Sequence, residues 1–158
     1  MRNDLSLRPV EGVDGQADEA AITNSLSKYG IAPGRVTLWG TGKPLREFLW
    51  SEEMADASVH VLLNVDFQDT YDATAQEVRN CHINVGSGRE IAIKDLAEKI
   101  KAAVGFEGEI VWDSSKPDGT PRKLTDVKKL HALGWHHQIE IDEGIQRLFD
   151  WYQAGIEA

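Results

Sequence analysis

Cysteine is nearly absent from this chain, with Cys81 the only one in 158 residues. That excludes an internal disulfide framework and a cysteine-based zinc site. No run of eighteen apolar residues occurs, so no transmembrane helix is expected. The opening residues, MRNDLSLRPVEG, lack the apolar stretch of a signal peptide, which makes the cytoplasm the expected compartment. Positive charge is also scarce. Seventeen Lys and Arg against 26 Asp and Glu give a net charge of −9, and such a surface repels a nucleic-acid backbone. A small anionic ligand stays compatible with that balance, because a few basic residues can dominate one pocket. What is present, 41% apolar and 27% charged residues, suits one ordinary α/β domain large enough to bury a core.

The chemistry of a complete enzyme is missing as well. No Tyr-x-x-x-Lys pair and no convincing nucleophile–base pairing occurs. His136 and His137 are adjacent, while His60, His82 and His131 lack a spacing partner, so no metal site is expected. Cys81 has no flanking basic residue to lower its pKa and reads as an inert thiol. Gly40-Thr41-Gly42-Lys43 is followed by Pro44, where a phosphate loop needs Gly-Lys followed by Ser or Thr. Gly86-Ser87-Gly88 lacks the third glycine of a dinucleotide fingerprint. Both read as plain turns.

The stretch Val36 to Trp50, VTLWGTGKPLREFLW, organises what remains. It reads as strand, tight turn, strand, with the second strand over Arg46 to Trp50. Before it, residues 1–15 read as a loose segment, Asp18 to Tyr29 as a helix stopped by Gly30, and Ile31 to Arg35 as a connector. After it, Ser51 suits an N-cap, and Met54, Ser58, Val61, Leu62 and Val65 mark the expected inner face of a helix to about Asn64. Residues 66–80 show no periodicity. Cys81 to Val85 reads as a short buried strand, Lys94 to Val104 as a helix with Leu96, Ile100 and Val104 inward, and Glu109 to Asp113 as a strand. Thr125 or Asp126 would cap a short helix ending at Gly134. Ile141, Ile145, Leu148, Phe149 and Tyr152 form one face of a C-terminal helix.

Two features point to a ligand. Arg46 lies inside an apolar strand signal, and a partly buried guanidinium seeks a bidentate anion. An anionic ligand and a salt bridge to Glu47 or a more distant carboxylate both fit. Trp39 beside it suits a flat ring, although a lone tryptophan equally suits a core. Trp50, Trp112, Trp135 and Trp151 are assigned to core or interfaces. The loop from Lys116 to Lys123 concentrates positive charge on a proline-stiffened segment, which fits an anion grip or a solvated loop.

The strings VTLWGTGKPLREFLW, EEMADAS, CHINVGSGREIAIKDLAEKI, DSSKPDGTPRKLTDVKKLHALGW and EGIQRLFDWY resemble the C-terminal part of the GDP-L-fucose synthases, which are extended short-chain dehydrogenases. The resemblance runs from about Val36 to Tyr152. It implies a NADPH-dependent 3,5-epimerase/4-reductase acting on GDP-4-keto-6-deoxy-mannose. It also implies that a separate N-terminal Rossmann domain holds NADPH and every catalytic group, so this chain alone is expected to be inactive and to bind no cofactor. The expected fold is an α/β substrate-binding domain over residues 36–158, with short strands and about four to five helices. Residues 1–35 form a poorly assigned segment with one helix.

By the same resemblance, Trp39 lies against the nucleotide-sugar, Arg46 and Lys123 contact the diphosphate, and Asp118 hydrogen-bonds the nucleotide end. The partners implied are a GDP-sugar and the Rossmann domain. Without that domain the strand at 81–85 would expose an edge, so self-association is expected. Trp50-Ser51-Glu52-Glu53 departs from the family's His-Val-Asp-Asp, and Cys81 does not match its catalytic cysteine. The alternatives are a standalone nucleotide-sugar-binding module, or part of another extended short-chain epimerase or dehydratase.

Overall fold

The structure, a computed structural model, describes residues 2–72 and 74–157. In chain order the elements are α1 (Arg2–Leu7), α2 (Glu19–Ser27), β1 (Ile31–Ala32), β2 (Arg35–Trp39), β3 (Leu45–Glu47), α3 (Ser51–Asn64), β4 (Glu90–Ala92), α4 (Ile93–Ala103), β5 (Glu109–Asp113), β6 (Arg122–Lys123), α5 (Lys128–Ala132) and α6 (Ile141–Glu157). A 3₁₀ turn spans Phe67–Thr70. The fold is thus α/β, with four α-helices among the described residues of 36–158, as expected, and two in residues 1–35 where one was expected. No helix of the described residues is long and apolar enough to cross a membrane. The chain forms two compact units, one of residues 1–44, 93–119 and 145–158 and the other of residues 45–92 and 120–144.

In the first unit β2 lies between β1 and β5. Residues 31–35, expected as a connector, form a hairpin instead, with β1 antiparallel to β2 around Pro33-Gly34. β5 runs parallel to β2, from Arg35 opposite Glu109 to Trp39 opposite Asp113. α2 starts where Asp18 accepts a hydrogen bond from the Ala21 amide at 2.7 Å, an N-cap that satisfies an otherwise orphan donor. Its Ile22 is buried. The opening segment is not loose, because α1 buries Leu5. α4 begins one residue earlier than its periodicity suggests, and Ile100 and Val104, expected inward, stay more than 40% exposed.

In the second unit β3 is the central strand, antiparallel to β4 and parallel to β6. β2 and β3 therefore belong to different sheets and are not the two arms of a hairpin. The core is Ala57, Leu130 and Trp135, with Leu49, Val61, Ile83 and Val85 packed on it. α3 forms where expected, and of its expected inner face Val61 packs on the core while Met54, Ser58 and Leu62 stay exposed. Glu53 and Ala57 are buried, whereas Met54 and Leu62 are 50% and 80% exposed. The reason is polar: the Glu53 carboxylate accepts from the backbone amides of Ile139, at 3.0 Å, and Gln138. A buried acid that satisfies two amides fixes a helix face which hydrophobic periodicity alone assigns to methionine and leucine. Trp50, not Ser51, occupies the N-cap position.

Residues 81–85 are half-buried to exposed and belong to no ladder, so the strand expected there does not form. The segment is held instead by Lys129, whose ammonium donates to the carbonyls of Thr70 at 2.8 Å, His82 at 3.1 Å and Asn80. Asp126 accepts from the Lys128 amide at 3.1 Å as α5 begins, while Val127 is the N-cap. Among the tryptophans Trp135 is buried and donates to Asp56 at 2.8 Å. Trp151 is 69% exposed and so is no core residue.

Leu130 has no exposed surface, so truncation leaves a void that the sheet and helices cannot fill. Leu130→Ala is expected to lower unfolding free energy by about 2–5 kcal/mol, read from the urea midpoint.

Candidate functional site

Residues 40–44 leave β2 as a turn whose first two amides are taken by the protein itself. The Gly40 amide donates to the Asp113 carbonyl at 2.9 Å. Asp118, from the loop after β5, accepts from the Thr41 amide at 2.7 Å and the Thr41 hydroxyl at 2.6 Å. Gly40 has φ +82°, and a Cβ there would collide with the Asp118 carboxylate, so only glycine admits this clamp. These amides are committed, which agrees with a plain turn and not a phosphate cradle. The hydrogen bonds from Thr41 hold the Asp118 carboxyl below its ordinary range.

Trp39, at the end of β2, is 76% exposed. The Lys116 ammonium stands 5.6 Å from its ring centroid, a cation over an open indole face. The first unit thus brings Trp39, Lys116, Thr41 and Asp118 to the ends of β2 and β5. Sequence reasoning gave Trp39 and Asp118 but not their supports, since Thr41 and Asp118 are 77 residues apart. An apolar cavity of about 410 Å³ in this unit is lined by Ile22, Leu26, Val36 and Phe106. Val36 and Trp39 alternate to opposite faces of β2, so that cavity is separate from the exposed indole.

The second unit carries Arg46 and Lys123. They are register partners across β3 and β6, and paired residues share one face of a sheet. Ile91 of β4 is also opposite Arg46. Arg46 is half-buried, and its Nη1 donates to the Leu45 carbonyl at 2.6 Å. Among the described residues neither Arg46 nor Lys123 forms an ion pair. The salt bridge to Glu47 left open by the sequence is not made.

The opposite face also pairs like charges, Glu47 with Glu90, yet both are compensated. Arg122 Nε contacts Glu90 at 2.7 Å. Glu47 accepts from the Gly88 amide at 2.6 Å and the Thr125 amide at 2.9 Å. Burial pushes the Glu47 carboxyl up, but hydrogen bonds from Thr125, Gly88 and Ser87 outweigh it and hold the group below its ordinary range. A smaller cavity of about 250 Å³ is lined by Phe48, Arg89, Ile91, His137, Ile139 and Glu140. Its charges are matched internally, with Arg89 and Glu140 2.6 Å apart.

Comparison with known proteins identifies the wider group. Residues 9–86 match the family model for the NAD dependent epimerase/dehydratase family. GDP-L-fucose synthase 1 of Arabidopsis thaliana is 47% identical over 121 residues, which is 77% of this chain and 34% of that protein. The chain is similar to the NAD dependent epimerase/dehydratase family over this region. GDP-L-fucose synthase of Escherichia coli (strain K12) is 44% identical over 117 residues, 74% of this chain and 36% of that protein. A GDP-6-OMe-4-keto-L-xylo-heptose reductase from C. jejuni superposes with a TM-score of 0.82 at 34% identity, covering 98% of this chain and 44% of that one. A GDP-mannoheptose C4 reductase from Campylobacter jejuni with NADP bound gives 0.74 at 36% identity, covering 87% and 38%. The chain spans about a third of the length of the curated relatives it matches.

The family name implies a nicotinamide dinucleotide. The turn at 86–88 does not fit its phosphates, because the Glu47 carboxylate already occupies the Gly88 amide and would repel an anion there.

Asp118 provides a direct check on the turn. A depressed carboxyl contributes stability above its ordinary pKa that is lost as pH falls through the lowered folded value. The Thr41 amide resonance is expected to titrate with a midpoint below that of an ordinary aspartate, and Thr41→Val to move the Asp118 midpoint back up. A Thr41 resonance that titrates at the ordinary value contradicts the clamp.

Proposed function

We propose that this chain is the GDP-sugar-binding part of an epimerase/reductase of the GDP-L-fucose synthase type. The observation that carries the reading is the Arg46–Lys123 row. Like charges placed directly opposite on one sheet face are destabilising, and here, unlike the acids on the other face, they have no carboxylate among the described residues to offset them. A diphosphate supplies that charge, and guanidinium matches its oxygens in a bidentate fork. Taken by itself, the first unit offers the open ring face of Trp39 to a flat base. Asp118 there keeps lone pairs beyond those given to Thr41, which suit the donors of a nucleobase.

The relatives named for GDP-L-fucose and for a GDP-heptose share GDP, which favours GDP over UDP or dTDP and leaves the sugar as the variable part. The whole reaction, reduction by NADPH with epimerisation at two carbons, would need groups outside this chain. Its own contribution is orientation, which lowers a barrier by holding reacting atoms in place. Alone it is expected to be inactive.

The outer face of α3 supports the same reading. Val59, Leu62 and Leu63 are 51%, 80% and 73% exposed, and residues 81–85 have no ladder partner. A helix apolar on both faces is ordinarily buried on both. Two thirds of each matched relative lies beyond the matched region, and part of that length is proposed to cover this face. In its absence the chain is expected to self-associate, with Leu62→Glu giving monomers by sedimentation; a wild-type monomer at all concentrations contradicts this.

Calorimetric titration with GDP tests the central assignment. Wild type is expected to release heat that Arg46→Ala weakens by at least tenfold, with UDP and dTDP binding less tightly. Arg46→Ala with wild-type affinity would remove Arg46 from the site.

A further inference from the structure

We infer that Glu47 is a positioning residue for the anion grip, an inference that rests on the GDP-sugar reading of the second unit. β6 is two residues long and both are exposed, so the ladder alone gives Lys123 little reason to stay opposite Arg46. The chain brackets it. The Leu45 amide donates to the Pro121 carbonyl at 2.9 Å, two residues before Lys123. The Glu47 carboxylate receives the Thr125 amide at 2.9 Å, two residues after it. The residues that flank Arg46 on β3 therefore hold the residues that flank Lys123. The second oxygen of Glu47 takes the Gly88 amide at 2.6 Å and faces the Ser87 hydroxyl at 3.4 Å, so the same carboxylate also fixes the turn that leads into β4. Gly86 makes room for this, since a Cβ there would strike Glu47 Oε1. One acid thus sets the register of both neighbours of β3 around a cation it does not touch.

Glu47→Gln separates this role from simple electrostatics. Removing a negative charge near two cations should strengthen GDP binding if charge alone matters. Positioning predicts the opposite sign, because a side-chain NH₂ must now face a backbone N–H and release one bracket. In Glu47→Gln, amide hydrogen exchange at Gly88 or Thr125 should rise at least tenfold, exchange in α3 should stay within twofold, and GDP should bind at least fivefold more weakly. Equal or tighter GDP binding overturns the inference. So does unchanged exchange at both amides. A wild-type chain that takes no GDP refutes the ligand reading separately, and the exchange measurement then decides whether Glu47 holds Lys123 in place, with retained protection at Thr125 overturning it.

Discussion

Parallel pairing over long sequence separation is the constraint on which both units depend. β2 meets β5 and β3 meets β6, each across more than seventy residues. Parallel strands cannot be closed by a tight turn, so the intervening chain must fold first or together with them. The payoff in chemistry is local. Residues far apart in sequence, Thr41 with Asp118 and Arg46 with Lys123, become neighbours only if the register is right. A slip by one residue would turn every side chain of a strand to the opposite face, and the Arg46–Lys123 row would disappear.

Register also explains how the second unit treats charge. Its central strand carries Arg46 and Glu47 in succession, so alternation sends one to each face. On the acidic face the fold supplies everything the carboxylates need, through Arg122 and two backbone amides. On the basic face, among the described residues, it supplies Arg46 with the Leu45 carbonyl and no carboxylate. That imbalance is the ground for proposing Arg46 as a binding cation and Glu47 as a structural acid, although both are half-buried on the same three-residue strand. The same reasoning sets aside the Arg89–Glu140 pair, whose charges already offset one another.

Much of this architecture was legible from the residues. Glu109 to Asp113 alternates and is a strand over that span, and α2 and α3 start at acidic or capping signals. The failures have physical causes. The two-residue strands β1 and β6 have no periodicity to read, because their pairing partners define them. α1 contributes little beyond Leu5 to a core. The inner face of α3 was misassigned because a buried glutamate with two amide donors outranks a methionine. Residues 81–85 have a strand's composition but no partner to ladder with. For the site, Trp39 and Arg46 stand out in the sequence itself and Asp118 and Lys123 through resemblance, while the contacts that Thr41, Lys116 and Glu47 make in support emerge only in three dimensions.

The most direct test is a crystal structure of this chain with GDP. Diphosphate oxygens are expected within hydrogen-bonding distance of the Arg46 guanidinium and the Lys123 ammonium, with the Glu47–Thr125 contact intact. A diphosphate bound through other residues, with Arg46 left facing solvent, would contradict it.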